Sequence, residues 1–141
     1  MTKKLISLAA ALAVLMTVSS LAAVPARAEE IAADGVQYVL FLGTNDKDTN
    51  KPVFTQEEAM ERARDILIRH FGGYTVQEAY GGWVGDDGQV FREYTLVIYL
   101  SDTTPDKVYA AADELVETFR QSSVLIQTNP TKTEFYTGGN N

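Results

Sequence analysis

Two amphipathic helix patterns alternate with strand patterns along the chain, and this order restricts the available folds more than any other feature. Val36 to Leu42 is rich in branched and aromatic residues, which predicts a strand. Thr55 and Glu58 form a capping-box pattern ahead of an apolar stripe with three- and four-residue steps. The stripe predicts a helix that ends at Gly72-Gly73.

The second half of the pattern repeats the first with a hairpin in between. Tyr74 to Val84 and Gln89 to Leu100 predict two antiparallel strands joined by a turn at Gly85 to Gly88. A capping side chain within Asp102-Thr103-Thr104 precedes Pro105, which predicts the start of a second helix that runs to about Arg120. Ser123 to Thr128 predicts the last main strand, and Lys132 to Tyr136 is a candidate for a short additional one.

The order βαββαβ predicts an α+β fold, a ferredoxin-like sandwich with one antiparallel sheet and two helices on one face. Residues 36–136 form the predicted domain, after a flexible leader at 29–35 and before a disordered tail at 137–141. The helices can cover one face of such a sheet, so the other face should be polar. Instead both faces of the first and the long strand are apolar, which predicts a binding surface on whichever face the helices leave open. In the first strand Tyr38, Leu40 and Leu42 are opposed to Val39 and Phe41, and in the long strand Leu96, Ile98 and Leu100 are opposed to Phe91, Val97 and Tyr99. A homodimer through the sheet face and a covering by the leader or the C-terminal strand are the alternatives.

The first 28 residues have the three parts of a secretory signal: Lys3 and Lys4, the apolar run from Leu5 to Met16, and the small-x-small exit Ala26-Arg27-Ala28. We expect cleavage after Ala28 and a secreted, periplasmic or cell-envelope location. An uncleaved anchor is the competing interpretation, since 20 residues can cross a bilayer. A small-residue exit favours a cleaved signal, so we expect no stable membrane anchor.

Charge and composition exclude several functions. Cleavage leaves nine basic against 19 acidic residues, a net charge of −10, which argues against nucleic-acid binding. The chain has no cysteine, which excludes disulfides and cysteine chemistry. His70 is its one histidine, at the predicted end of the first helix, where a structural role is favoured. Nucleotide-binding glycine motifs are absent from the sequence, so we expect no cofactor.

A polar loop after the first strand resembles a calcium-binding loop in its spacing. Asp46, Asp48, Asn50 and Glu57 occupy the first, third, fifth and twelfth positions of such a loop. The sixth position is Lys51, where the calcium loop requires glycine for a sharp turn. Calcium binding and a solvated turn are both hypotheses for this segment.

The hairpin carries the other candidate site. Its turn places Gly81-Gly82-Trp83 opposite Arg92-Glu93-Tyr94, and glycine in a strand can indicate a bulge or a close approach by another group. The predicted binding residues for a small molecule or a protein are Trp83, Arg92, Glu93, Tyr94, Glu78 and Tyr80. If Glu78 and Glu93 come together, the alternative is a hydrolase or isomerase that uses paired carboxylates. A salt-bridged sheet surface is the simpler explanation of the same residues.

These segments together resemble a known family. Val39 to Gly43, the following polar loop and helix, Gly81-Gly82-Trp83, Asp87-Gly88 and Arg92-Glu93 are similar to an uncharacterised family of small exported bacterial domains, a domain of unknown function. The resemblance implies an exported bacterial α+β domain and carries no activity. We therefore expect a non-catalytic binding or interaction domain.

Overall fold

The computed structural model describes residues 35–139. The predicted signal peptide, the leader up to residue 34 and the last two residues of the tail lie outside the described residues. Within residues 35–139, no helix is long and apolar enough to cross a membrane.

Four strands and two helices form a single sandwich. The elements are β1 (Gly35–Gly43), α1 (Gln56–Phe71), β2 (Thr75–Val84), β3 (Val90–Leu100), α2 (Pro105–Thr118) and β4 (Leu125–Thr131). All three strand pairings are antiparallel and the sheet order is β2-β3-β1-β4. The predicted ferredoxin-like arrangement is confirmed.

The hydrophobic core lies between one face of the sheet and the two helices. Residues directly opposite each other share a face, and Leu40↔Ile98 and Leu42↔Leu96 pair across β1 and β3. These four side chains are fully buried together with the inner faces of α1 and α2, where Leu67, Leu115 and Phe119 are buried. The second face of the sheet, which we call the open face, carries the side chains of the alternate residues.

Helix α1 begins and ends as its sequence predicts. The Thr55 hydroxyl accepts a hydrogen bond from the Glu58 amide at 3.2 Å, and the Glu58 carboxylate accepts one from the Thr55 amide at 2.9 Å. These bonds hold the pKa of Glu58 below its ordinary value, with the Thr55 backbone bond as the largest cause. At the other end Gly72 has a φ of 72°, a left-handed conformation that glycine adopts without steric cost.

Thr55→Ala should lower the free energy of unfolding by about 1 kcal/mol, because it leaves the Glu58 amide in the first turn of α1 without its acceptor. Thr104→Ala is the matched control: Thr104 is the N-cap of α2, and its side chain makes no cap hydrogen bond. Urea unfolding measures both variants. Equal losses in the two variants would show that the capping box does not stabilise the fold.

Two predicted details of the second half differ in the structure. The predicted side-chain cap ahead of Pro105 does not form, since Thr104 is the N-cap and makes no such bond. The predicted extra strand at Lys132 to Tyr136 is also wrong. Strand β4 instead continues through Pro130, which lies opposite Val36, and the residues after Thr131 form no helix or strand as far as residue 139. Proline is tolerated here because β4 is an edge strand.

Polar contacts join the C-terminal turn of α1 to α2. The Glu114 carboxylate lies 2.5 Å from Arg69 Nη2 and 2.8 Å from His70 Nε2. The bond to His70 is the largest cause that holds the pKa of Glu114 below its ordinary value. His70 therefore makes a structural contact with α2. Its position at the end of α1 favours a structural role, whereas the partner, Glu114, was not predicted.

Candidate functional site

The open face is almost free of charge. The side chains that the four strands place on it include one acidic residue, Glu93, and no basic residue within the described strands. Charge is concentrated instead on the helices: α1 alone carries Glu57, Glu58, Glu61, Arg62, Arg64, Asp65 and Arg69. Since the whole chain has a net charge of −7, the neutrality of this one face is a distinct feature.

The centre of the open face is apolar and its margins are polar. On the central strands, Val39 and Val97 are 6% and 5% exposed, and Phe41 and Tyr99 are half-buried. On the edge strands β2 and β4 the same face carries exposed neutral polar side chains, namely Thr75, Gln77, Gln127 and Asn129. The predicted apolar character of both faces of the central strands is confirmed.

The C-terminal segment does not bury its aromatic residues on the sheet. Phe135 and Tyr136 are 77% and 81% exposed. Phe135 lines a cavity of about 460 Å³ together with Gly35, Asp102 and Lys107, at the end of the sheet where α2 begins. The alternative covering by the leader concerns residues before 35, which lie outside the described part of the chain.

Glu93 lies at one end of the open face, directly over two glycines. In the register, Gly81 is opposite Glu93 and Gly43 is opposite Thr95. A Cβ atom on Gly43 would lie 2.5 Å from Glu93 Oε2, so the carboxylate occupies the space that a side chain would fill. The Asn45 amide donates a hydrogen bond to Glu93 Oε2 at 3.2 Å. Of the two explanations for the strand glycines, a close approach fits Gly81, since a Cβ atom there would lie 2.7 Å from Thr95 Oγ1.

Glu93 faces a cleft of about 530 Å³ that opens at this end of the sheet. Its apolar walls are Phe41, Trp83 and Leu125, from three different strands. Trp83 stacks on Phe91, with ring centroids 4.4 Å apart and planes 23° apart. The polar part of the lining comes from the loop after β1 and the segment after α2: Asn45, Lys47, Asp48, Asn50, Gln121, Ser122 and Ser123. A cleft of this size is in the range that holds small organic ligands.

Asp46 fixes the loop that forms one wall of this cleft. Its carboxylate is 4% exposed and accepts hydrogen bonds from the amides of Asp48 at 2.8 Å and Thr49 at 2.9 Å. Arg120 Nε lies 2.8 Å from Asp46 Oδ2. The two amide bonds, more than Arg120, hold the pKa of Asp46 below its ordinary value.

The segment after α2 is tied to the same loop. The Lys47 amide donates to the Arg120 carbonyl at 3.0 Å, and Gln121 Nε2 donates to the Asn45 carbonyl. Arg120 has a φ of 50°, a left-handed conformation that bulky residues seldom adopt. These contacts hold together the two loops that supply the polar wall of the cleft.

The structure divides the predicted hairpin residues between the two faces of the sheet. Glu93 and Trp83 lie on the open face and line the cleft together. Glu78 is opposite Leu96 and Tyr80 is opposite Tyr94, so these residues share the core side of the sheet with Arg92. Glu78 and Glu93 therefore do not converge, which corrects the paired-carboxylate hypothesis. Two antiparallel strands bring carboxylates together only where the residues have the same face.

Tyr94, on the core side, is largely packed rather than open for binding. It is 7% exposed, and its ring packs edge to face against that of Tyr80, with ring centroids 6.3 Å apart. Burial raises the pKa of Tyr94 to about 12, with the nearby Glu78 carboxylate as a second cause. A second cavity of about 590 Å³ at the edge of the hairpin is lined by Tyr80, Arg92 and Tyr94, and Glu93 also contributes to its lining.

The predicted calcium ligands are placed as part of a hydrogen-bonded turn. Asp46 directs both carboxylate oxygens to donors of the protein, while Glu57 is exposed in the first turn of α1. Within residues 35–139, no three side chains of His, Cys, Asp or Glu are grouped so as to hold a metal ion. Calcium binding at Asp46, Asp48, Asn50 and Glu57 remains a prediction.

Comparison with known proteins identifies the family. Residues 37–135 match the family described as Protein of unknown function (DUF3574). The chain belongs to this family. The resemblance to an uncharacterised domain family is thereby confirmed, and no curated protein matches the chain significantly.

Solved structures with the same fold are distant in sequence. A phage SAM lyase in complex with S-methyl-5'-thioadenosine is 24% identical with a TM-score of 0.55, over 72% of this chain and 87% of that chain. The phage SAM lyase in its apo state is 24% identical with a TM-score of 0.53, over 77% and 91%. The periplasmic divalent cation tolerance protein CutA from Archaeoglobus fulgidus is 11% identical with a TM-score of 0.50, over 71% and 87%. These likenesses support the fold of this DUF3574 domain and carry no activity to it.

Proposed function

We propose that this DUF3574 chain is a non-catalytic binding domain that works through its open face, with a second copy of the chain as the partner on that face. The observation that carries the proposal is the distribution of charge. The face has an apolar centre, neutral polar margins and one acidic side chain, on a chain whose net charge is −7. Depletion of charge at the centre and a polar rim are typical of protein interfaces.

Electrostatics favours a second copy over a basic partner. A basic partner would be attracted to the charged helices, whereas the neutral open face offers it little. Two copies that meet through their open faces keep their charged helices on the outside, where salt screens the repulsion between them. An apolar sheet face with a neutral polar margin packs most simply against the same face of a second copy.

Sedimentation tests this proposal. We expect the protein to sediment as a dimer at micromolar concentration, and Tyr99→Lys to weaken the dimer at least about ten-fold, because it buries an unpaired charge at the centre of the face. Tyr109→Lys is the matched control, since Tyr109 is 59% exposed on α2, on the helix side. A strict monomer at tens of micromolar would overturn the dimer, and equal weakening by both variants would place the interface elsewhere.

The enzyme alternative requires two carboxylates at one site. Glycosidase-type chemistry uses two carboxylates on either side of the reacting bond. Glu93 lines the cleft beside Trp83, but Glu78 lies on the opposite face of the sheet. A binding function therefore accounts for the site better than a paired-carboxylate enzyme does.

A further inference from the structure

The cleft at the Glu93 end of the open face combines one carboxylate with aromatic and aliphatic walls. Phe41, Trp83 and Leu125 give the cleft three apolar sides, and the stacked ring of Phe91 holds the Trp83 indole in place. The cleft is open to solvent at the margin of the sheet. A ligand could therefore enter without any rearrangement of the strands.

Glu93 has no cationic partner among the described residues. The ion pairs within residues 35–139 join Arg69 and His70 to Glu114, and Arg120 to Asp46. Arg92 immediately precedes Glu93 in β3, so its side chain lies on the opposite, core side of the sheet. The carboxylate accepts one backbone hydrogen bond, from Asn45, and makes no ion pair within residues 35–139.

The position of Glu93 is also fixed by its surroundings. Its carboxylate lies over Gly43, in the space that a Cβ atom would fill, and the Asn45 amide donates a hydrogen bond to one of its oxygens. Asn45 Nδ2 in turn donates to the Arg92 carbonyl at 3.2 Å, which ties the loop to β3. A group that is held in place before a ligand arrives loses less entropy on binding.

We propose that this cleft binds a small organic cation, an alkylated ammonium group whose charge meets Glu93 and whose alkyl groups contact Trp83, Phe41 and Leu125. Aromatic faces attract such cations through the ring quadrupole, and the carboxylate supplies the opposite charge. A hard metal ion is a poorer match, because it requires several oxygen ligands and gains nothing from apolar walls. Asp48 and Lys47 at the rim of the cleft offset each other in charge. The inference deepens the function proposed above, since it names a ligand class for one end of the same face.

Choline and its neutral isostere 3,3-dimethylbutan-1-ol provide the test. Trp83 is the single tryptophan of the chain, so its indole resonance in a ¹⁵N NMR spectrum reports directly on the cleft. We expect choline to shift this resonance saturably at millimolar concentration and the neutral isostere to bind at least about ten-fold more weakly. Glu93→Gln keeps the shape and removes the charge, and should weaken choline binding at least about ten-fold. Glu78→Gln, on the other face, is the matched control and should bind as the wild type does.

Two results would overturn the inference: no saturable shift with choline, or equal binding of choline and the alcohol. The second comparison uses wild-type protein, so it decides the question even if Glu93→Gln does not fold. Sedimentation of the same samples separates this inference from the dimer. A monomer that binds choline would contradict only the proposed dimer. A dimer that does not bind choline would contradict only the proposed cation site.

Discussion

Replacing Phe119 with alanine is expected to lower the free energy of unfolding by about 3–5 kcal/mol, the usual cost of removing a buried aromatic side chain. Phe119 is fully buried at the end of α2 and meets Phe54 edge to face, with ring centroids 5.5 Å apart. The phenylalanine thus joins α2 to the segment that leads into α1. Its removal leaves a cavity in the core and deletes the contact with Phe54.

Urea unfolding measures this loss, with Tyr109→Ala as the matched control. Tyr109 lies on the same helix and is 59% exposed, so its replacement should change the free energy of unfolding by less than about 0.5 kcal/mol. A loss below about 1 kcal/mol for Phe119→Ala would contradict the core as described.

Asp46→Ala is expected to destabilise the domain strongly at neutral pH and much less in acid. The substitution removes the acceptor of the Asp48 and Thr49 amides and leaves Arg120 without its partner. The amide bonds hold the pKa of Asp46 below 3.8 in the folded protein, so the stabilisation is present above that pH and is lost as pH falls through the folded pKa. The difference between wild type and variant should therefore shrink below about pH 4.

Thermal unfolding between pH 7 and pH 2 measures this difference. Asp48→Ala is the control, because the Asp48 side chain is exposed and only its backbone amide contacts Asp46. A stability loss in Asp46→Ala that stays constant across this pH range would show that the charge of Asp46 does not stabilise the loop. Calorimetric titration of the wild type with calcium addresses the separate hypothesis for this loop, and the absence of heat at millimolar calcium would remove it.

The fold was predictable because its local signals agree with each other. The capping box at Thr55, the apolar stripe of α1 and the turn at Gly85 to Gly88 each define one element without help from the rest of the chain. The turn also fixes the hairpin register, with Gly81 opposite Glu93. Four β patterns around two helix patterns then leave few alternatives to the βαββαβ sandwich.

The candidate site was only partly predictable, for two physical reasons. The first is the alternation of side chains along a strand, in which successive residues point to opposite faces of the sheet. Trp83 and Phe91 are opposite each other and share a face, and counting residues from the turn places Glu78 and Glu93 on different faces. That signal is present in the sequence. The second is loop packing, because the contact of Gln121 with Asn45 depends on how two loops distant in sequence meet. No local sequence pattern indicates that contact, and none indicates that Leu125 lines the cleft.

The last strand, β4, contains a proline because it lies at the edge of the sheet. Asn129-Pro130 is typical of a turn, yet β4 passes through Pro130 and ends at Thr131. An edge strand needs hydrogen bonds on one side, so one missing amide hydrogen is tolerated there. The pairing of β4 with β1, rather than the proline, sets where the strand ends.

That pairing has a practical consequence for attaching the domain to a surface or a label. Gly35 lies opposite Thr131, so β1 begins and β4 ends at the same margin of the sheet, while Gly43 and Glu93 lie at the other margin. Eight residue steps of extended chain separate the two margins, roughly 26 Å at about 3.3 Å per residue. An immobilising linker that is joined directly at Gly35 or directly after Thr131 therefore starts far from the Glu93 cleft, and leaves that cleft accessible to a ligand in solution.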